Sequence, residues 1–166
     1  MPNCNFNGCF VRRNYPRQIF TCNCGNQRCG GGRVINPEIP AEFGVFEVEG
    51  VTVDSGANIP LTQTNLSGTA ITEGGGGQVN LTAGNYRVSY NALFVVPNAG
   101  QVRTVLRLDG VNISTTESVI TDTAGQQNSV SNQIIITVTG NQVLTFVNFS
   151  EDAVEFLSAN LSIDKL

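Results

Sequence analysis

Residues 81–96 read Leu-Thr-Ala-Gly-Asn-Tyr-Arg-Val-Ser-Tyr-Asn-Ala-Leu-Phe-Val-Val. After a turn at Ala83-Gly84-Asn85, apolar and polar residues alternate from Tyr86, the period of a β-strand with one buried face. Pro97-Asn98-Ala99-Gly100 ends the strand. A strand this long needs partners on both sides, and the flanking sequence supplies them. Val102 to Leu108 reads as a strand, Asp109-Gly110 as a hairpin turn and Val111-Asn112-Ile113-Ser114 as the return. A short strand follows at Ser118 to Thr121. Val130 to Thr139 contains Ile134-Ile135-Ile136, a β-branched run that predicts a strand buried on both faces. Gly140-Asn141 turns into Val143 to Phe149, and Ser150-Glu151-Asp152 turns again before Val154 to Ile163.

Upstream, Val45-Phe46-Glu47-Val48-Glu49-Gly50-Val51 alternates in the same way, Gly74 to Gly77 reads as a flexible loop, and Gln78 to Leu81 as a strand. No stretch of helical length shows an amphipathic 3.6-residue period. The expectation is an all-β fold, a jelly-roll sandwich of about eight to ten strands. Phe43, Phe46, Tyr86, Tyr90, Phe94, Phe146, Phe149 and Phe156 are its aromatic set, most of them core. Tyr90 and Phe94 share a strand face with Val88 and Ala92, which raises the expectation of a second buried surface between copies.

The chain has 166 residues, 40% hydrophobic and 13% charged, enough for one core and an appendage. It has no His, so it lacks the commonest general base and the commonest metal ligand, and triads of the Ser-His-Asp kind are excluded. Scattered carboxylates such as Glu47, Glu49, Glu151 and Asp152 are what remains for acid–base work, and solvated turns and strand faces account for them. We assign no catalytic residue, no cofactor and no enzymatic activity. No apolar run approaches the roughly 18 residues that cross a bilayer. No membrane partner is expected.

Charge divides the chain. Residues 1–33 hold Arg12, Arg13, Arg17, Arg28 and Arg33 with no acidic residue, a net +5. The remainder holds Arg87, Arg103, Arg107 and Lys165 against all 13 acidic residues, a net −9. The acidic body argues against nucleic acid as the partner of the basic arm. Cysteine divides it too, because Cys4, Cys9, Cys22, Cys24 and Cys29 all lie in the arm. Such clustering points to disulfides or a metal, and the odd count leaves a thiol over for another chain. Cys4-x4-Cys9 with Cys22-x-Cys24-x4-Cys29 supplies enough thiolates for tetrahedral zinc, but the usual Cys-x2-Cys knuckles are missing. Disulfide or intersubunit bonding is the preferred reading, and no metal ligand is assigned.

Gly30-Gly31-Gly32 reads as a hinge and Asn36-Pro37-Glu38-Ile39-Pro40 as a stiffer spacer. The expected organisation is a connector arm over 1–33, a proline-containing linker over 34–42 and the jelly roll over 43–166. Met1-Pro2-Asn3-Cys4 lacks the basic and apolar regions of a secretion signal, and Arg12-Arg13 is followed by no apolar stretch. The expectation is synthesis in a reducing cytoplasm, with disulfides forming on later exposure to an oxidising exterior.

Three stretches carry a likeness to a known family: Leu81 to Tyr90, Leu106-Arg107-Leu108-Asp109-Gly110, and Val143 to Ser150, with Ala159 to Leu166 as a last strand. On these, residues 43–166 resemble the C-terminal domain of the Bacillus collagen-like exosporium glycoproteins, a trimeric jelly roll of the tumour-necrosis-factor type. That family carries a long Gly-x-y stalk before the domain, and here only Gly30-Gly31-Gly32 stands in its place. The Cys- and Arg-rich arm that replaces the stalk is similar in architecture, though not in matched motifs, to the N-terminal connectors of endospore appendage subunits.

The two likenesses together imply a structural subunit of the spore surface, made in the mother cell without a signal peptide. Its partner would be itself, first as a homotrimer and then as a head-to-tail polymer, with a spore-surface anchor and a tip protein as further candidates. Phe6, Phe10, Val11, Ile19 and Phe20 are the apolar residues by which the arm would dock, with Arg12, Arg13 and Arg17 steering it to an acidic neighbour. The alternative is a trimeric adhesin or tip module that the arm merely tethers.

Overall fold

The computed structural model of the chain describes residues 10–12, 19–21, 42–97 and 100–166. The chain forms two units, Met1–Glu38 and Ile39–Leu166. In the first, β1 (Phe10–Arg12) and β2 (Ile19–Thr21) pair antiparallel, with Phe10 opposite Thr21, Val11 opposite Phe20 and Arg12 opposite Ile19. The two strands therefore run in opposite directions, so residues 10–21 do not form one continuous extended segment. The physical reason is local: both segments are rich in aromatic and β-branched residues, and pairing satisfies their backbone groups with each other.

The second unit is a sandwich of two antiparallel sheets. One has the order β10 (Ser118–Thr121), β8 (Gln101–Leu108), β12 (Gln142–Asn148), β6 (Gln78–Leu81), β5 (Ile71–Gly75), with β9 (Val111–Asn112) paired to β8. The other has the order β11 (Gln127–Val138), β7 (Gly84–Val95), β13 (Val154–Lys165), β3 (Phe43–Val53), β4 (Thr62–Ser67). Sequence neighbours seldom sit side by side, so most strands pair with distant parts of the chain. The unit is the expected all-β jelly-roll sandwich, whose only helical element among the described residues is a 3-10 turn at Ser114–Thr116.

Alternation on β7 places Tyr86, Val88, Tyr90, Ala92 and Phe94 inside, with Arg87 and Asn91 exposed. Tyr90 and Phe94 are thus core residues, and the expected second surface on that face is not there, because the opposite sheet already covers it. The Tyr90 ring lies 4.8 Å from Phe146 of that sheet at an interplanar angle of 48°, and Phe94 meets Phe156 edge-on at 6.1 Å. Burying the Tyr90 hydroxyl is tolerable only with partners. It donates to the Thr116 carbonyl and lies 3.1 Å from Ser118 Oγ, while Thr116 Oγ1 accepts the Leu106 amide at 2.9 Å.

Other expectations are corrected as well. Ile134 to Ile136 lie on β11, which pairs with β7 alone and forms a sheet edge. Ile136 is buried, but Ile135 points outward and is 67% exposed, since no strand or layer covers that side. The glycine run is also no loose loop. Gly75 ends β5, and Gly75, Gly76 and Gly77 all take positive φ to turn the chain into β6. A Cβ on Gly77 would stand 2.1 Å from the Ile59 carbonyl oxygen, so close backbone packing as well as φ demands glycine there.

The hairpin at Asp109-Gly110 forms where expected, with Asp109 at φ 49, a left-handed conformation that Asp tolerates better than most residues. Its carboxylate accepts the Val143 amide at 2.8 Å and Gln142 Nε2 at 2.9 Å, tying the turn to β12. The Val143 bond, then the Gln142 bond, hold its pKa below the ordinary value of 3.8. A depressed folded pKa gives stability that is present above the unfolded value and lost as pH falls through the folded one. Asp109→Asn should therefore flatten the acid limb of a urea-denaturation series below about pH 4 relative to the parent. An acid limb of unchanged steepness would show that this carboxylate does not contribute to it.

Candidate functional site

β3 runs through the second sheet between β13 and β4 and gives the jelly roll two distinct ends. At one end Glu42 receives the linker; at the other Asp54 begins a turn. Because β13 pairs antiparallel, from Val154 opposite Val53 to Asp164 opposite Phe43, the C-terminus returns to the linker's end. At the far end of this pair lie two turns, Asp54-Ser55-Gly56 and Ser150-Glu151-Asp152, with the turn before β11 beyond the end of β7.

Asn148 joins those turns. It is fully buried at the end of β12, after Phe146 and Val147, and its amide nitrogen reaches the carbonyls of Val53 at 2.9 Å, Asp152 at 3.1 Å and Asp54 at 3.3 Å. Its side-chain oxygen accepts the Ser150 amide at 3.1 Å, and Ser55 Oγ donates to the Ser150 carbonyl at 2.6 Å. The result is a rigid rim that exposes Asp54, Glu151 and Asp152, with Glu155 exposed one step along β13. These carboxylates make no ion pair among the described residues. The far end is an acidic pole.

The body's cations are engaged elsewhere. Arg87 pairs with Asp164 at 2.7 Å, Arg103 with Glu117, and Lys165 with Glu42 at 3.6 Å. Arg107 donates to Asn112 Oδ1 at 2.7 Å and, like Arg103, stacks near the Phe149 ring. The Arg103 backbone borders the pole, its amide donating to Ser150 Oγ at 2.9 Å, but its guanidinium is turned to Glu117 and to the Phe149 ring.

Of the arm residues singled out from the sequence, Phe10, Val11, Arg12, Ile19 and Phe20 fall in the β1–β2 pair. Cys4, Cys9, Cys22, Cys24, Cys29, Phe6, Arg13, Arg17 and the hinge Gly30, Gly31 and Gly32 lie outside the described residues. Glu151 and Asp152 are in the exposed rim. Glu47 and Glu49 border an open depression of ≈ 670 Å³ on the outer face of the second sheet, beside Thr62, Thr64, Asn91, Ser158 and Asn160. There Glu47 accepts Asn160 Nδ2 at 2.7 Å. The acidic pole escaped the sequence reading because its two turns are some hundred residues apart and only Asn148, a lone amide ending an apolar run, hinted at a buried polar anchor.

No protein-family model matches the sequence, and no curated protein matches it. Solved structures do. Murine APRIL at pH 5.0 superimposes with a TM-score of 0.61 at 15% identity, over 75% of this chain and 99% of that one. Eiger TNF from S. frugiperda gives 0.61 at 13% identity, over 75% and 93%. The globular domain of zebrafish complement 1qA gives 0.58 at 10% identity, over 75% and 97%. At these identities the likeness establishes a jelly roll of the tumour-necrosis-factor and C1q type.

Removing the Asn148 side chain strands buried backbone carbonyls of both turns. Asn148→Ala should cost about 2–4 kcal/mol in denaturant unfolding. It should also speed amide exchange at Gly56 and Ser150 ahead of exchange in β7. A loss below about 0.5 kcal/mol would mean that the rim does not depend on this amide.

Proposed function

We propose that this chain is a structural subunit of a spore-surface fibre, in which jelly-roll trimers are joined head to tail by their basic N-terminal arms. One observation carries the reading: the linker joins the jelly roll at one end of β3, and the unpaired acidic pole lies at the other. At about 3.3 Å per residue, β3 sets the two ends on the order of 35 Å apart. The +5 arm of one copy and the acidic pole of the next are then complementary, whereas arm against arm and pole against pole repel.

Reach agrees with this geometry. The β1–β2 pair removes residues 10–21 from the extended length, and what remains of 1–33 spans at most on the order of 70 Å. That still exceeds the length of one jelly roll. Screened surface charge would order the subunits without holding them strongly. Permanence would come from apolar arm residues and from disulfides among the five cysteines, each worth roughly 2–4 kcal/mol. The trimer is suggested by the likeness of residues 43–166 to a trimeric family and supported by apolar side chains left outside. Val119 and Ile135, 46% and 67% exposed, lie on the edge strands β10 and β11, and no residue from 123 to 150 is charged.

Such a subunit needs no catalytic centre, anchor lipid or cofactor. The polar depression beside Asn91 and Asn160 favours a second reading, a trimeric tip or adhesin module whose sheet face takes a hydroxyl-rich ligand. A tip stops at three copies, whereas a fibre subunit polymerises with concentration.

Deleting residues 2–29 should leave soluble trimers by light scattering and no fibres by negative-stain microscopy. Fibres from the truncated chain would remove the arm from the mechanism, and monomers would remove the trimer. Neutralising the pole with Asp54→Asn, Glu151→Gln, Asp152→Asn and Glu155→Gln should leave stability within about 0.5 kcal/mol of the parent for each site. It should slow fibre elongation at low salt by roughly tenfold or more and abolish its salt dependence. Unaltered elongation would place the arm's acceptor elsewhere.

A further inference from the structure

Glu42 and Lys165 fasten the two termini of the jelly roll to each other. The Lys165 amide donates to the Glu42 carbonyl at 3.0 Å, and Lys165 Nζ lies 3.6 Å from Glu42 Oε2. That same carboxylate oxygen accepts the Ala70 amide at 3.1 Å, from the turn between β4 and β5. Each side chain rests on a glycine. A Cβ on Gly68, at φ 85, would stand 2.4 Å from Glu42 Cγ, and one on Gly84 would stand 2.8 Å from Lys165 Cε. The Lys165 ammonium also lies 5.9 Å from the centroid of the Tyr86 ring, whose hydroxyl donates to the Thr82 carbonyl at 2.9 Å. The residue at which the linker meets the domain is thus held by its backbone to the last strand and by its side chain to a turn of the neighbouring region.

We propose that Glu42 is a positioning residue whose clasp fixes the direction in which the linker leaves the jelly roll. The inference rests on the connector reading and deepens it. A strand end beginning at Phe43 frays freely unless something beyond it is tied down. With Glu42 tied, whatever precedes it starts from a held point instead of a frayed strand end. A connector of restricted direction has a higher effective concentration at the next subunit than a freely swinging one, and it makes a stiffer fibre. Both side chains are about 28% exposed, so the ion pair itself contributes little. The acceptor for the Ala70 amide matters more.

The test uses the full chain, with Glu42→Ala and the conservative Glu42→Gln. Two measurements are made: the bending persistence length of fibres in negative stain, and the backbone ¹H–¹⁵N heteronuclear NOE at Ala41 and at Val45. Glu42→Ala should shorten the persistence length roughly twofold and lower the NOE at Ala41 toward flexible-chain values, with Val45 unchanged. Glu42→Gln, which keeps an acceptor for Ala70, should restore both. An unchanged Ala41 signal in Glu42→Ala overturns the proposal. So does an equal fall at Val45, which marks plain loss of domain stability. If the parent chain forms no fibres the connector reading fails, and the Ala41 signal alone decides the clasp.

Discussion

The pairing of β3 with β13 is the constraint on which the rest of this molecule depends. It runs the full length of both strands and is flanked by β7 and β4, so it lies inside its sheet. One side carries Phe46, Phe156, Leu161 and Ile163 into the core, all fully buried, and a slip of one residue would turn that whole set to solvent. The register is therefore fixed by burial, and the positions of the ends follow from it. The antiparallel sense brings the C-terminus back beside the linker and leaves only turns at the far end. A jelly roll with one terminal end and one turn-built end is polar as a solid body, before any charge is considered.

Charge then marks the two ends. The body has few cations, and three of them are consumed by carboxylates outside the two turns: Arg87 by Asp164, Arg103 by Glu117, Lys165 by Glu42. Among the described residues Asp54, Glu151 and Asp152 have no such partner, and their turns are held by neutral bonds through Asn148 instead. Neutral anchoring is physically consequential here. A lysine or arginine in the place of Asn148 would have to be desolvated, and it would cancel the field of the rim, whereas a buried amide organises the backbone and leaves the carboxylates available. Exposed charges at this separation are screened within about 8–10 Å in ordinary salt, so their effect is on the order and rate of encounter, not on how long a contact lasts.

Much of the fold was legible in the sequence, for identifiable reasons. β7, β8, β12 and β13 alternate or are rich in apolar residues and are bounded by turn residues. The strands that escaped notice, β4 and β5, read Thr-Gln-Thr-Asn-Leu-Ser and Ile-Thr-Glu-Gly-Gly. They sit at sheet edges and are exposed along most of their length, so burial imprints almost no period on them. Ile134-Ile135-Ile136 misled in the opposite way: β-branched residues announce a strand, but its place in a sheet depends on partners hundreds of atoms away. Tyr90 and Phe94 misled because one strand face looks the same whether it covers the protein's own core or a neighbouring copy. The acidic pole was harder still, since Asp54 and Asp152 come together only after the sheet order is known.

A rigid body that carries a donor at one end and an acceptor at the other has restricted ways of associating. In the proposed fibre the contact between the arm of one copy and the pole of the next would be heterologous, and the operator relating the copies would depend on the direction of the linker. If that direction lies near the strand axis, repetition advances along the axis and never returns to the start, which gives a fibre; a sharply angled linker would close a ring. Trimeric association would, on the proposed reading, reinforce the difference, because three arms on one trimer would address three poles on the next, and simultaneous engagement would raise the affinity of the junction far above that of a single arm only if all three left in register. On the proposed reading, a junction of weak, screened contacts becomes durable through geometry: the register of β3 with β13 sets the poles, and whatever ties down the linker sets the angle.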